Sequence, residues 1–113
     1  MSGIDLTADQ RAIVEEILRA HAPGLAVRVF GSRATGRARP LSDLDLVVMT
    51  EEPLSLERVA DMRDAFSESD LPFRVDLLDW AGVSAAFRRR IDETAVVLID
   101  PASSSAAPAE PTP

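Results

Sequence analysis

Apolar side chains at Ala12, Ile13, Val14, Ile17 and Leu18 recur with the spacing of one helical face. Thr7 with Gln10 three positions on supplies a capping box before them, and Pro23-Gly24 comes after as a stop, so the pattern predicts a helix over 8–21. Leu25 to Phe30 is rich in valine and predicts a first short strand ending at Gly31-Ser32. The stretch GSRATGRARP, 31–40, is too small and too basic for a core and predicts a loop. Asp43 to Met49 predicts a second strand, buried because Leu44, Leu46, Val47 and Val48 form a near-continuous apolar run. Ser55 can cap a helix over 56–68, with Leu56, Val59, Ala60, Arg63 and Phe66 on its apolar face. After a break at Asp70 to Pro72, a third strand is predicted over 73–79, an arginine-rich helical segment over 83–91 and a last strand over 95–99. Strands separated by helical stretches imply an α/β or α+β sheet with helices packed on it.

Composition narrows the picture. The chain has 113 residues, enough for one small domain over 1–99. The tail, Asp100 to Pro113, carries four of the eight prolines and no large apolar side chain, which predicts a disordered extension. The start lacks a basic stretch followed by an apolar one, and no apolar run reaches the roughly 18 residues of a membrane span, so a cytoplasmic protein is expected. All 12 basic residues are arginines against 19 acids, and the net charge of −7 opposes non-specific binding to nucleic acid, so no direct nucleic-acid partner is expected. Without cysteine, any metal must be held by oxygen or by the single histidine, His21.

The candidate chemistry lies in aspartates. Asp43 and Asp45 stand at i and i+2 on a predicted strand, so both carboxylates point to one face while Leu44 and Leu46 point to the other. Neighbouring anions repel unless a cation lies between them, and an oxygen-only donor set favours magnesium. The dyad by itself also has a plainer meaning, with Asp43 capping the loop and Asp45 facing solvent at a sheet edge. Gly31-Ser32 precedes the dyad by ten residues, and a glycine there lets backbone approach a phosphate closely, although Gly-Ser alone is a turn signal. In the strand FRVDLLD, alternation separates Asp76 from Asp79; Asp76 is expected deeper in the sheet and with the dyad, and Asp79 is expected to cap the segment after Trp80. Asp43, Asp45 and Asp76 together can hold two metal ions about 4 Å apart, the clamp of in-line nucleotidyl transfer, with Asp76 nearest the attacking oxygen.

The run FGSRATGRARPLSDLDLVV, succeeded by FRVDLLDW and VVLID, resembles the minimal nucleotidyltransferases, or MNT proteins, of the polymerase-beta-like superfamily over roughly Leu25 to Asp100. The resemblance implies a short mixed sheet flanked by helices, ATP with Mg2+, and transfer of AMP to an acceptor. It further implies the antitoxin half of a HEPN/MNT toxin-antitoxin pair, with a tyrosine of the HEPN toxin as acceptor. By position, Gly31, Ser32 and Arg33 fall on the phosphate-binding stretch, Asp43 and Asp45 on the metal pair and Asp76 on the third carboxylate. Thr35 departs from the pattern, since many members carry an arginine there; Arg33, Arg37 and Arg39 remain nearby. Two alternatives stay open: an antitoxin that works by occlusion without catalysis, and a transferase acting on a small molecule such as an aminoglycoside.

The remaining residues have simpler expected roles. Arg88, Arg89 and Arg90 form a solvated face paired with Asp92 or Glu93, or else steer ATP or grip an acidic partner. His21 complements a helix C-terminus, and Trp80 packs at the core or its rim.

Overall fold

The computed structural model describes residues 3–101. The elements run α1 (Ala8–His21), β1 (Val27–Phe30), α2 (Ser32–Thr35), β2 (Leu44–Val48), α3 (Leu56–Glu68), β3 (Val75–Asp79), a 3-10 turn (Trp80–Gly82), α4 (Ala85–Thr94) and β4 (Val96–Ile99). The expected order therefore stands, with strand ends trimmed by one or two residues and one unforeseen feature, the single helical turn of α2 inside the basic loop. The expected tail lies outside the described residues apart from Asp100 and Pro101.

The four strands form one mixed sheet in the order β3-β2-β1-β4. β1 runs antiparallel to both β2 and β4, while β2 and β3 are parallel and joined through α3. Local chemistry starts the helices, at the expected caps for α1 and α3 and at Ser84, not foreseen, for α4. Thr7 and Gln10 close the capping box of α1 reciprocally, and Ser55 and Ser84 accept from the backbone N–H three residues on at α3 and α4.

One face of the sheet is the core. Val27, Val29, Leu44, Leu46, Val48 and Leu77 pack there against Val14 and Leu18 of α1 and Met62 and Phe66 of α3. The face of α3 differs in part from the expected one: Phe66 is buried as expected. Met62 and Phe66 carry the burial, whereas Ala60 and Arg63 are exposed and Leu56 is 89% exposed. The reason is helical phase: Val59, Met62 and Phe66 follow the i, i+3, i+7 stripe, and Leu56 is left exposed in the first turn.

The opposite face carries Phe30, Asp45, Val47 and Asp76. Helix α4 covers part of it, through Ile91, an edge-to-face contact of Phe87 with Phe30 at 5.9 Å, and an Arg28–Asp92 ion pair at 3.3 Å.

Candidate active site

Sheet register assembles the site. Phe30 on β1 stands opposite Asp45 on β2, and Asp45 stands beside Asp76 on β3. Strand alternation turns both aspartates away from the core, because their neighbours Leu44, Leu46 and Leu77 fill it. Asp43 precedes β2 by one residue and is exposed.

Asp45 is the most perturbed carboxyl. Its pKa is raised from the usual 3.8 to about 6, first by burial, then by the negative charges of Asp76 and Asp43, and last by a hydrogen bond with the Asp76 side chain. The pair is thus close enough to share a proton, with Asp43 as a third charge in range. As the side chains stand, the described residues hold no group of three or more His, Cys, Asp or Glu arranged to bind an ion. The cluster is a bonded pair with a neighbouring carboxylate. No arginine pairs with Asp43, Asp45 or Asp76 among the described residues. An oxygen-only donor set with mutual repulsion and no basic partner fits a hard divalent cation.

Gly31 has φ +75°, a conformation that side chains resist, and a Cβ built on it would overlap the Asp45 carboxyl, with Cγ 3.2 Å away. Glycine is required here twice, by backbone and by space. Ser32 comes next, half-buried, and its hydroxyl makes no hydrogen bond among the described residues.

Two expectations need correction. Asp76 is exposed on the edge strand β3, because among the described residues no further strand pairs with it there; the apolar residues flanking it in sequence point to the other face. Arg33, expected among the phosphate-binding residues, is a structural residue. It is 3% exposed and donates to the carbonyl oxygens of Asp5 (2.8 Å), Pro40 (3.1 Å) and Ser42 (2.9 and 3.1 Å), with Arg39 at 3.4 Å. Its guanidinium also lies over the Phe73 ring at 3.9 Å. All three nitrogens are engaged, so Arg33 ties the basic loop and the N-terminal segment together.

Other residues take the simpler roles. Asp79 accepts from the N–H groups of Gly82 (3.0 Å) and Leu54 (2.8 Å), capping the turn after Trp80. Arg88 donates to the Trp80 carbonyl (2.7 and 3.1 Å) and covers its ring. Asp92 pairs with Arg28 rather than with the arginine run. His21 lies in the last turn of α1, as its expected role requires.

Beside the carboxyls, Phe30, Gly31, Ser32, Thr35 and Arg37 meet Phe87, Arg90, Ile91, Glu93 and Thr94 of α4 around a cavity of about 490 Å³. Phe87 drew no notice in the sequence, and no local spacing could have paired it with Phe30.

Residues 13–103 match the family model for polymerase beta nucleotidyltransferases. The chain belongs to that family. The nucleotidyltransferase is 47% identical over 95 residues to a Haemophilus influenzae protein named "probable protein adenylyltransferase MntA", covering 84% of this chain and 83% of that one. A toxin-antitoxin crystal structure with AMP-PNP is similar at 23% identity and TM-score 0.68, covering 79% of this chain and 72% of the other. A tri-AMPylated Shewanella oneidensis HEPN toxin in complex with its MNT antitoxin is similar at 21% identity and TM-score 0.61, covering 79% and 68%. At those identities the two solved structures establish the nucleotidyltransferase fold. Among the described residues no helix is long and apolar enough to cross a membrane.

Proposed function

We propose that this nucleotidyltransferase moves AMP from ATP onto a tyrosine hydroxyl of a HEPN-type toxin and thereby acts as its antitoxin. The observation that carries the proposal is the Asp45–Asp76 pair, set side by side on the open face against a glycine whose missing Cβ leaves room for it. The adenylyltransferase name of the Haemophilus relative supports the reaction, and the toxin-antitoxin assemblies among the fold neighbours support donor and acceptor.

In this reaction a bond forms between the acceptor oxygen and the α-phosphorus, the bond to the β-phosphate oxygen breaks, and pyrophosphate leaves. Asp43, Asp45 and Asp76 would hold two magnesium ions, whose chemistry is to polarise the α-phosphate and neutralise charge on the departing group. Asp76, exposed on the edge strand, faces the approaching acceptor and takes its proton. Gly31 and Ser32 admit the phosphates beside Asp45, with the unbonded Ser32 hydroxyl as a donor. Arg33 keeps the loop bearing these residues in shape without touching the nucleotide.

Labelled ATP, magnesium and the HEPN partner are incubated together, and the partner is weighed intact. Added mass in AMP units that disappears with the Asp43→Ala/Asp45→Ala double variant is the expected result. No transfer above that variant sinks the proposal, and full neutralisation of the toxin by the variant replaces it with occlusion.

A further inference from the structure

We propose that the free edge of β3 receives the tyrosine-bearing segment of the toxin as an added strand, which sets the acceptor hydroxyl beside Asp76; this rests on the AMP-transfer function above. The hydrogen-bond ladder shows which backbone groups are available. The N–H of Leu44 donates to the Arg74 carbonyl at 2.9 Å, and in the parallel register of β2 and β3 this turns the N–H and C=O groups of Asp76 and Leu78 toward β2 as well. Those of Val75 and Leu77 therefore face away from the sheet, and among the described residues no strand or other backbone group meets them. A row of such groups is a template for another chain. The other edge strand, β4, is separated from Asp76 by β1 and β2, so a chain added there would be far from the carboxyls.

Alternation decides what the added strand presents. A residue paired with Asp76 projects on the open face, with its Cβ about 5 Å from that of Asp76. Tyrosine is long enough there for its hydroxyl to pass the carboxyl pair, whereas serine or threonine stops short. The residues before and after the tyrosine point to the opposite face, where a groove of about 670 Å³ runs between α3 and β3, walled by Phe66, Leu71, Phe73 and Val75. Apolar side chains flanking the tyrosine fill that groove, in the manner of extended segments bound at sheet edges. Its basic lining residues are Arg63 of α3 and Arg74, which stands two residues before Asp76 on the same face. In a chain of net charge −7 this local positive rim complements an acidic segment, and an acid two positions from the tyrosine stands opposite Arg74. The acceptor is thus an extended stretch in which tyrosine lies between apolar neighbours with a carboxylate close by.

The test reads the edge amides directly. Hydrogen exchange at single backbone amides is followed by NMR on the full chain, alone and with the purified HEPN partner. The expected result is that Val75 and Leu77 exchange about tenfold or more slowly in the complex, while Asp76 and Leu78 are protected in both states. Two variants accompany it: Val75→Pro removes an outward donor and keeps the bonds to β2, and Ser67→Trp fills the groove from its exposed rim. Each should weaken binding of the partner about tenfold. A thermal melt shows whether Val75→Pro folds, and Ser67→Trp carries the test where it does not. Val97→Lys, on the exposed edge strand β4, should match the wild type. Four results overturn the inference: no slowing at Val75 and Leu77 with partner bound, a partner that does not bind, partner affinity unchanged in Ser67→Trp, or Val97→Lys behaving like Ser67→Trp. Slowing at the same amides with rising protein concentration and no partner would also overturn it, assigning the edge to a second copy of this chain. AMP transfer by the wild type, scored separately by intact mass, judges the function itself.

Discussion

The two faces of the sheet are made from the same strands and have opposite duties. Leu44, Leu46 and Leu77 alternate with Asp45 and Asp76, so one pleat supplies both the core and the carboxyl pair. The covered face is built from groups that gain by leaving water. On the open face, among the described residues, three acids without basic partners crowd together, and Asp45 resists ionisation first through its own burial and then through its acidic neighbours. Stability is concentrated on one side of a single layer and charge strain on the other, which lets a small domain hold a reactive site without breaking its core.

That contrast can be broken most sharply at Asp45. Replacing it with Asn should lower AMP transfer about a thousandfold, roughly 4 kcal/mol on the barrier, with no loss in melting temperature. Transfer is read by intact mass and folding by a thermal melt; a melt that drops with activity would show that the open face supports the fold. Its core neighbour on the same strand should behave oppositely. Leu46→Ala is expected to cost about 3 kcal/mol in a urea titration while the folded fraction keeps its ATP affinity. Arg33 belongs with the core in this respect. Arg33→Met should cost about 2 kcal/mol, because it leaves the carbonyls of Asp5, Pro40 and Ser42 without their buried donor.

A smaller effect comes from pH. Because the folded-state pKa of Asp45 is raised, the native protein binds its proton more tightly than the unfolded chain does. Its contribution to stability is therefore fully present below about pH 3.8 and is lost as pH rises through about 6. Partial exposure reduces the roughly 3 kcal/mol implied by a two-unit shift to about 1 kcal/mol. Urea titrations in EDTA at pH 4.5 and 7.5 should show the Asp45→Asn variant gaining most of that amount on the wild type at the higher pH. Magnesium should reverse the trend for the wild type, since binding requires the carboxylate. The smallest effect is expected at Leu56, where 89% exposure predicts that Leu56→Glu changes stability by less than about 0.5 kcal/mol.

Much of the fold was legible because its signals are local. The capping box at Thr7 and Gln10, the serine cap at Ser55 and the apolar run of β2 each declare an element within a few residues. The face of α3 is only partly legible: Phe66 is buried as expected, whereas Leu56 and Ala60 look apolar in sequence yet stay exposed, and only the packed sheet shows that Met62 is the residue it receives beside Phe66. The candidate aspartates stood out as well, since a carboxylate on a strand opposes its propensity and calls for a reason, and the sheet sets Asp76 beside Asp45. The assignment of Arg33 failed for the opposite reason: an arginine beside Gly-Ser suits a phosphate and a set of loop carbonyls equally well.

Chemistry at each position was thus decided by the chain itself: which residues cap, which alternate, and which three acids stand against the pattern. Tertiary structure alone decided who meets whom. Register placed Asp45 against Asp76, the φ of Gly31 placed its empty Cβ position against Asp45, and the docking of α4 brought Phe87 to Phe30. The physical reason is range: caps and pleats act over a few residues, whereas pairings across the sheet depend on how distant segments close around one shared core.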